Sequence, residues 1–178
     1  MANYNNLLEL GAQFQDYCTS VLMTKGIIIM PFSSRKYQYE VGESASKHEI
    51  KYDMKFSETG NLYFETAERS DINKSFVDSG IYRKDNTLFV IIGDKDNFFM
   101  FHKKQLQNFF ESTKQNVKKF REVNTGTSKG FVIPPSNISE LILFHYNLET
   151  NEIYDTYNSD ILPDELYNKI IDSASKLR

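Results

Sequence analysis

The chain has 178 residues, 40% of them hydrophobic and 25% charged, with a formal net charge of −3. That length suits one domain with a proper core, and the composition excludes a chain that is disordered over most of its length. The net charge excludes bulk attraction to a polyanion, so any nucleic-acid contact has to come from a local basic patch.

Cys18 is the only cysteine, which rules out an intrachain disulfide and a cysteine-based zinc cluster. MANYNNLLEL lacks a basic region leading into an apolar run, and no stretch approaches the roughly 18 apolar residues of a membrane span. The expectation is a protein of the reducing cytoplasm with no membrane contact.

Leu7, Leu8, Leu10, Phe14, Tyr17, Cys18, Val21 and Leu22 recur at three- and four-residue steps, predicting an amphipathic helix over 4–24 closed by Lys25-Gly26. The β-branched run GIIIMPF predicts an edge or first strand over 26–32. Residues 33–47 are polar and read as a loop or short helix.

Residues 48–56 alternate, with Glu49, Lys51, Asp53 and Lys55 on one side and Ile50, Tyr52, Met54 and Phe56 on the other. Residues 62–67 alternate similarly, with Tyr63, Glu65 and Ala67 on one side. The two runs meet at Gly60-Asn61, so a hairpin is expected. Asp53 and Glu65 on neighbouring strands form the carboxylate pair that a hard divalent cation needs. They share a face only across an odd-length loop or a bulge, which Gly60 makes accessible. The plainer reading of the same acids and lysines is a wetted strand face with cross-strand ion pairs.

TLFVIIG over 87–93 is apolar throughout and predicts a strand covered on both sides by helices, followed by a tight hairpin to 98–101. Residues 103–119 read as a helix burying Leu106, Phe109 and Phe110. From Lys103 to Arg121 the basic residues Lys103, Lys104, Lys114, Lys118, Lys119 and Arg121 face the single acid Glu111, a candidate DNA-backbone track or else a solvated face. Residues 122–130 read as a polar loop, 131–133 as a short strand and 138–144 as a short helix or strand. Pro163-Asp164 opens a terminal helix ending near Leu177. This order predicts an α/β fold, a central mixed β-sheet flanked by helices. One domain spans 1–178, its core over about 4–135 and a C-terminal extension over 136–178.

The words EIKYD, TGNLY with the glutamate that follows, SGIYR with DNT, and FHKKQL resemble phage- and mobile-element-encoded proteins of the PD-(D/E)XK, or restriction-endonuclease-like, nuclease superfamily. The resemblance covers roughly residues 7–135. It implies a restriction-endonuclease-like core and an Mg²⁺- or Mn²⁺-dependent DNA endonuclease, with Asp53 and Glu65 as metal ligands. It further implies a lysine two residues after the glutamate, where this chain has Ala67. Lys51, Arg69 and Lys55 are the cations that could stand in, and Lys51 is preferred because its strand is expected beside that of Glu65. A helix acid often completes such sites. Gln15 stands at that place here, with Glu9, Asp16 and Glu43 as substitutes. Ser79, Tyr82 and Arg83 are implied as phosphate or positioning contacts, beside Lys103, Lys104, Lys114, Lys118 and Lys119 on the DNA. The alternative class is a catalytically degenerate member that binds DNA or blocks a host defence protein. The size is compatible with a homodimer reading a palindrome.

Overall fold

The computed structural model describes residues 4–113, 119–150 and 152–155. Helix α1 (Tyr4–Met23) buries Phe14, Cys18 and Leu22, spaced four apart, completely. Gly26, at φ +80°, stops it by donating its N–H to the Met23 carbonyl at 3.0 Å. The strand expected over 26–32 is not formed. Only Pro31 bridges, to Ser44, and Ile28 is 66% exposed; with so little pairing, β propensity has nothing to act on. Helix α2 (Arg35–Glu40) follows, its Ser34 hydroxyl accepting from the Tyr37 N–H.

Strand β1 (His48–Tyr52) pairs in parallel with β4 (Phe89–Gly93), Glu49 lying beside Val90 and Lys51 beside Ile92. The expected hairpin from β1 to β2 (Leu62–Glu68) is therefore corrected. The Asp53 N–H still donates to the Gly93 carbonyl of β4 at 2.8 Å, and the chain leaves the sheet after it, because the Asp53 carboxylate takes the Lys55 N–H at 3.1 Å. The single helical turn α3 (Phe56–Thr59) is then closed by Gly60 at φ +64°. Strand β2 instead joins a second, antiparallel sheet of order β3-β2-β7-β6, with β3 at Val77–Asp78, β6 at Arg121–Asn124 and β7 at Ser128–Ile133. The polar segment expected as a loop over 122–130 thus supplies most of a hairpin.

The first sheet has order β1-β4-β5-β8-β9, with β5 at Asn97–His102, β8 at Ile142–Asn147 and β9 at Glu152–Asp155. It is mixed, β1 and β4 being parallel and the rest antiparallel. β8 lies inside it, with Phe144 and Tyr146 buried, so the core runs beyond 135. The terminal helix expected after Pro163 lies outside the described residues.

Alternation along β4 and β5 divides the core in two. Phe89, Ile91, Phe98 and Met100 pack under α1. Val90, Ile92, Phe99 and Phe101 face Leu62, Phe64, Phe131 and Ile133 of the second sheet together with Leu106 and Phe110 of α4 (Lys103–Thr113). The expected α/β architecture, a mixed sheet with helices on both faces, is present. The second sheet shares one of those faces with α4, and the seam between the two sheets is where the acidic side chains of β1 meet β2.

Candidate active site

At the β1 end of that seam lies a cleft of about 180 Å³ lined by Glu49, Lys51 and Asp53 from one sheet and Tyr63, Glu65 and Gly80 from the other. Strand alternation decides its chemistry. Ile50 and Tyr52 turn to the α1 side, so Glu49, Lys51 and Asp53 turn to the second sheet.

Glu49 is 2% exposed and lies 2.9 Å from the Lys51 ammonium. The Lys51 side chain is half exposed; its partial burial draws the proton affinity down, but Glu49 opposes this, aided by Glu43 and Glu65, and the net effect holds the ammonium above the ordinary lysine range. Lys51 is consequently a fixed cation at neutral pH. Glu49 is a site residue that the sequence analysis does not single out, although its signal is present: a glutamate followed two places later by lysine, on one strand face. The spacing sought after Glu65 occurs one strand earlier. Ala67, where the lysine was sought, pairs with Lys129 of β7, whose ammonium lies 4.1 Å over the Phe76 ring.

Glu65 faces the cleft with both oxygens held. Ser79 Oγ donates to Oε1 at 2.7 Å and Ser128 Oγ to Oε2 at 2.5 Å, while the Tyr63 hydroxyl sits 2.6 Å from Ser128 Oγ. This packing needs glycine on both sides. A Cβ on Gly80, at φ +52°, would lie 2.3 Å from the Glu65 carbonyl oxygen, and one on Gly130, opposite Glu65, would strike the Tyr63 ring at 2.6 Å.

Asp53 ties the two sheets together. Its Oδ2 accepts the Tyr63 N–H at 2.8 Å and its Oδ1 the Lys55 N–H. Burial raises its pKa, Asp94 adds to the rise, and the two N–H groups counter it. Asp53 and Glu65 therefore line one cleft from different sheets, rather than facing each other across a hairpin, and Asp53 acts as an anchor with both oxygens engaged.

The substitutes for a helix acid separate cleanly. Glu9 and Asp16 are exposed on α1, which covers the opposite face of the sheet, whereas Glu43 acts electrostatically on Lys51. Glu43 is itself held by Arg83, Nη1 to Oε1 at 3.5 Å.

The structure corrects the outward roles expected for four residues. Ser79 is buried on Glu65. The Tyr82 hydroxyl donates to Glu111. Arg83 Nη2 donates to the carbonyls of Gln38 and Tyr39 at 2.7 and 2.9 Å, and its Nε is 3.4 Å from Asp85. Lys103, 5% exposed, donates to the Arg83 carbonyl at 2.7 Å and pairs with Asp85 at 2.8 Å. Burial acts to raise the Asp85 pKa, but the Lys103 hydrogen bond and the Thr87 N–H outweigh it and hold the carboxyl below its usual range. Of the basic track, Lys104, Lys119 and Arg121 are exposed; Lys114 and Lys118 lie outside the described residues.

Among the described residues no three Asp, Glu, His or Cys side chains converge on one point. Three carboxylates, Glu49, Asp53 and Glu65, do line one cleft, and a magnesium ion is ordinarily held by one or two carboxylates with water and substrate oxygens completing its shell. Glu49 fits that role best, because its Oε1 is sealed from solvent and carries the Lys51 ion pair without a hydrogen bond of normal geometry. Fold and site together define a two-sheet α/β domain with a carboxylate–lysine cleft at the sheet seam. No family model, no curated protein and no solved structure matches the chain.

Proposed function

We propose that the chain is a metal-dependent deoxyribonuclease acting at the Glu49–Lys51–Glu65 cleft. The observation that carries this reading is the Glu49-Ile50-Lys51 strand face set against Glu65, with Lys51 held as a permanent cation among acids. Such a set suits an anionic phosphodiester, which needs positive charge at its non-bridging oxygens and carboxylates to recruit a divalent ion.

Glu49 and Glu65 would hold the ion, Mg²⁺ or Mn²⁺. Bound there, it would supply Lewis-acid polarisation of a phosphoryl oxygen. Lys51 would donate to a non-bridging oxygen and stabilise the charge that develops as water adds to phosphorus and the ester P–O bond breaks. Ser79 and Ser128 keep the Glu65 carboxylate in a single orientation, so little reorganisation accompanies the reaction. Asp53 keeps the walls at their spacing through the Tyr63 N–H.

One observation favours a second reading, a non-catalytic protein that binds DNA or blocks a host defence protein. The oxygens of Glu65 and Asp53 are already hydrogen-bonded, and no three ligands converge. Incubation with plasmid and linear DNA in Mg²⁺, Mn²⁺ or EDTA, beside Glu49→Gln and Glu65→Gln, separates the two. Metal-dependent cleavage lost in both variants supports the nuclease. Absence of cleavage in every metal, or cleavage unchanged in both variants, refutes it, and binding without cleavage supports the second reading.

A further inference from the structure

We propose that the exposed ring of Tyr39 is a stacking platform for an unpaired nucleobase, so that DNA reaches the cleft as a single strand on its α2 side. This rests on the nuclease reading for its substrate, and names the form in which that substrate is taken.

Most aromatic rings of the described residues are packed against other rings in the two cores, whereas Tyr39 is 78% exposed. It is exposed yet not loosely held. The Arg83 guanidinium lies 5.6 Å from its ring centroid, within cation–π range. Arg83 also donates to the Tyr39 carbonyl and is fixed by Gln38, Glu43 and Asp85. The ring therefore has an immobile cation beside it and most of its area open to solvent. A ring set this way loses little conformational freedom when a base covers it.

Charge and position point to a nucleotide rather than an apolar peptide. Arg35 and Lys36 are exposed on the same short helix, Lys36 lying 3.9 Å from the exposed Glu40, and Lys84 is exposed next to Arg83; three cations against one acid give phosphates beside a stacked base a net positive surface. Arg83 also touches Glu43, and Glu43 acts on Lys51; two side chains, Arg83 and Glu43, link Tyr39 to the cleft. Bases inside a duplex present edges in the grooves and keep their faces stacked on each other. An exposed ring stacks on a base whose face is free, which every base of a single strand offers and a duplex offers only at its two ends.

The test measures binding of labelled oligothymidine and of a blunt duplex of equal length in EDTA, where no cleavage occurs. It uses the full chain, Tyr39→Ala and Tyr39→Trp. The proposal expects tighter binding of the single strand than of the duplex by the unmodified chain. It expects Tyr39→Ala to weaken the single strand roughly five- to a hundredfold, the range of one lost base stack. Duplex binding should be unchanged, and Tyr39→Trp should retain single-strand affinity. Unchanged single-strand affinity in Tyr39→Ala, an equal loss on both DNAs, or no single-strand preference overturns it, and would leave Tyr39 as a contact for a protein partner. Tyr39-dependent binding without cleavage would sink the nuclease reading and keep this one; cleavage indifferent to Tyr39 would do the reverse.

Discussion

Replacing Lys103 with methionine tests whether this lysine is a structural cation or part of a DNA-facing track. The substitution keeps most of the stem and deletes the charge. In the native protein the Lys103 ammonium is 2.8 Å from Asp85, and the two side chains are 7% and 1% exposed. Breaking a buried pair by removing one partner costs about 3–5 kcal/mol, since the other charge stays desolvated. Asp85 would retain the Thr87 N–H at 3.0 Å and Arg83 Nε at 3.4 Å, which places the loss near the lower end, about 3 kcal/mol. For a chain of this size that corresponds to a fall in Tm of roughly 6–12 °C. Urea unfolding at neutral pH measures it directly, provided the m-value is unchanged. Pairing the change with Asp85→Asn should recover part of the loss, because no uncompensated charge then remains. A loss within about 0.5 kcal/mol, the range of surface substitutions, would refute the assignment and return Lys103 to the basic track.

Acid should destabilise the fold in a defined window. Burial lowers the His48 pKa to about 4, against about 6.5 unfolded, so between these values the unfolded chain binds more protons and stability falls with falling pH. The loss levels off below pH 4 at no more than about 3.5 kcal/mol, at about 1.4 kcal/mol per pH unit. Urea titrations at pH 7, 5.5 and 4 on the native chain and on His48→Phe check this, the variant giving the flatter curve. The Asp85 contribution, present above the ordinary aspartate pKa, is lost only as pH falls further, through its depressed value. Gly80→Ala, by forcing a Cβ to 2.3 Å from the Glu65 carbonyl oxygen at a positive φ, should destabilise by about 1–3 kcal/mol. If cleavage is present, it should fall more than Tm alone explains; a neutral change would contradict the packing described around Glu65. Ser79→Ala should leave the fold nearly intact and lower the cleavage rate without weakening DNA binding, measured by single-turnover kinetics; unchanged kinetics would remove Ser79 as an orienting donor.

The parts of the fold legible in the sequence are those with unambiguous periods. The four-residue spacing of Phe14, Cys18 and Leu22 specified α1, and the unbroken FVIIG followed by a turn specified the β4–β5 hairpin. The β1–β2 relation was not legible. Two adjacent alternating runs look like a hairpin, and only the Asp53–Lys55 hydrogen bond and the left-handed Gly60 redirect the chain. The β6–β7 hairpin was hidden because an exposed edge strand such as Arg121–Asn124 carries no apolar stripe.

The site was half legible for a related reason. Alternation put Glu49, Lys51 and Asp53 on one face, and the sequence singled out Lys51 and Glu65, which the structure brings into one cleft. Alternation does not say which face another sheet will cover. That left Glu49 looking solvated, although it is the most buried carboxylate of the cleft, and it gave no sign that the Asp53 oxygens accept the Tyr63 and Lys55 N–H groups. The role of Arg83 depends on contacts with residues some 40 positions away, which no local pattern encodes.

In the proposed phosphodiesterase, Lys51, and not a lysine after Glu65, supplies the fixed cation. The most direct test of this role is the Mg²⁺-dependent rate of DNA cleavage by Lys51→Met at saturating DNA, with Tm matched to the native chain. The native protein should be active and the variant slower by about 100-fold or more, the usual effect of losing one electrostatic donor to the transition state. A variant that cleaves at the native rate would contradict this role.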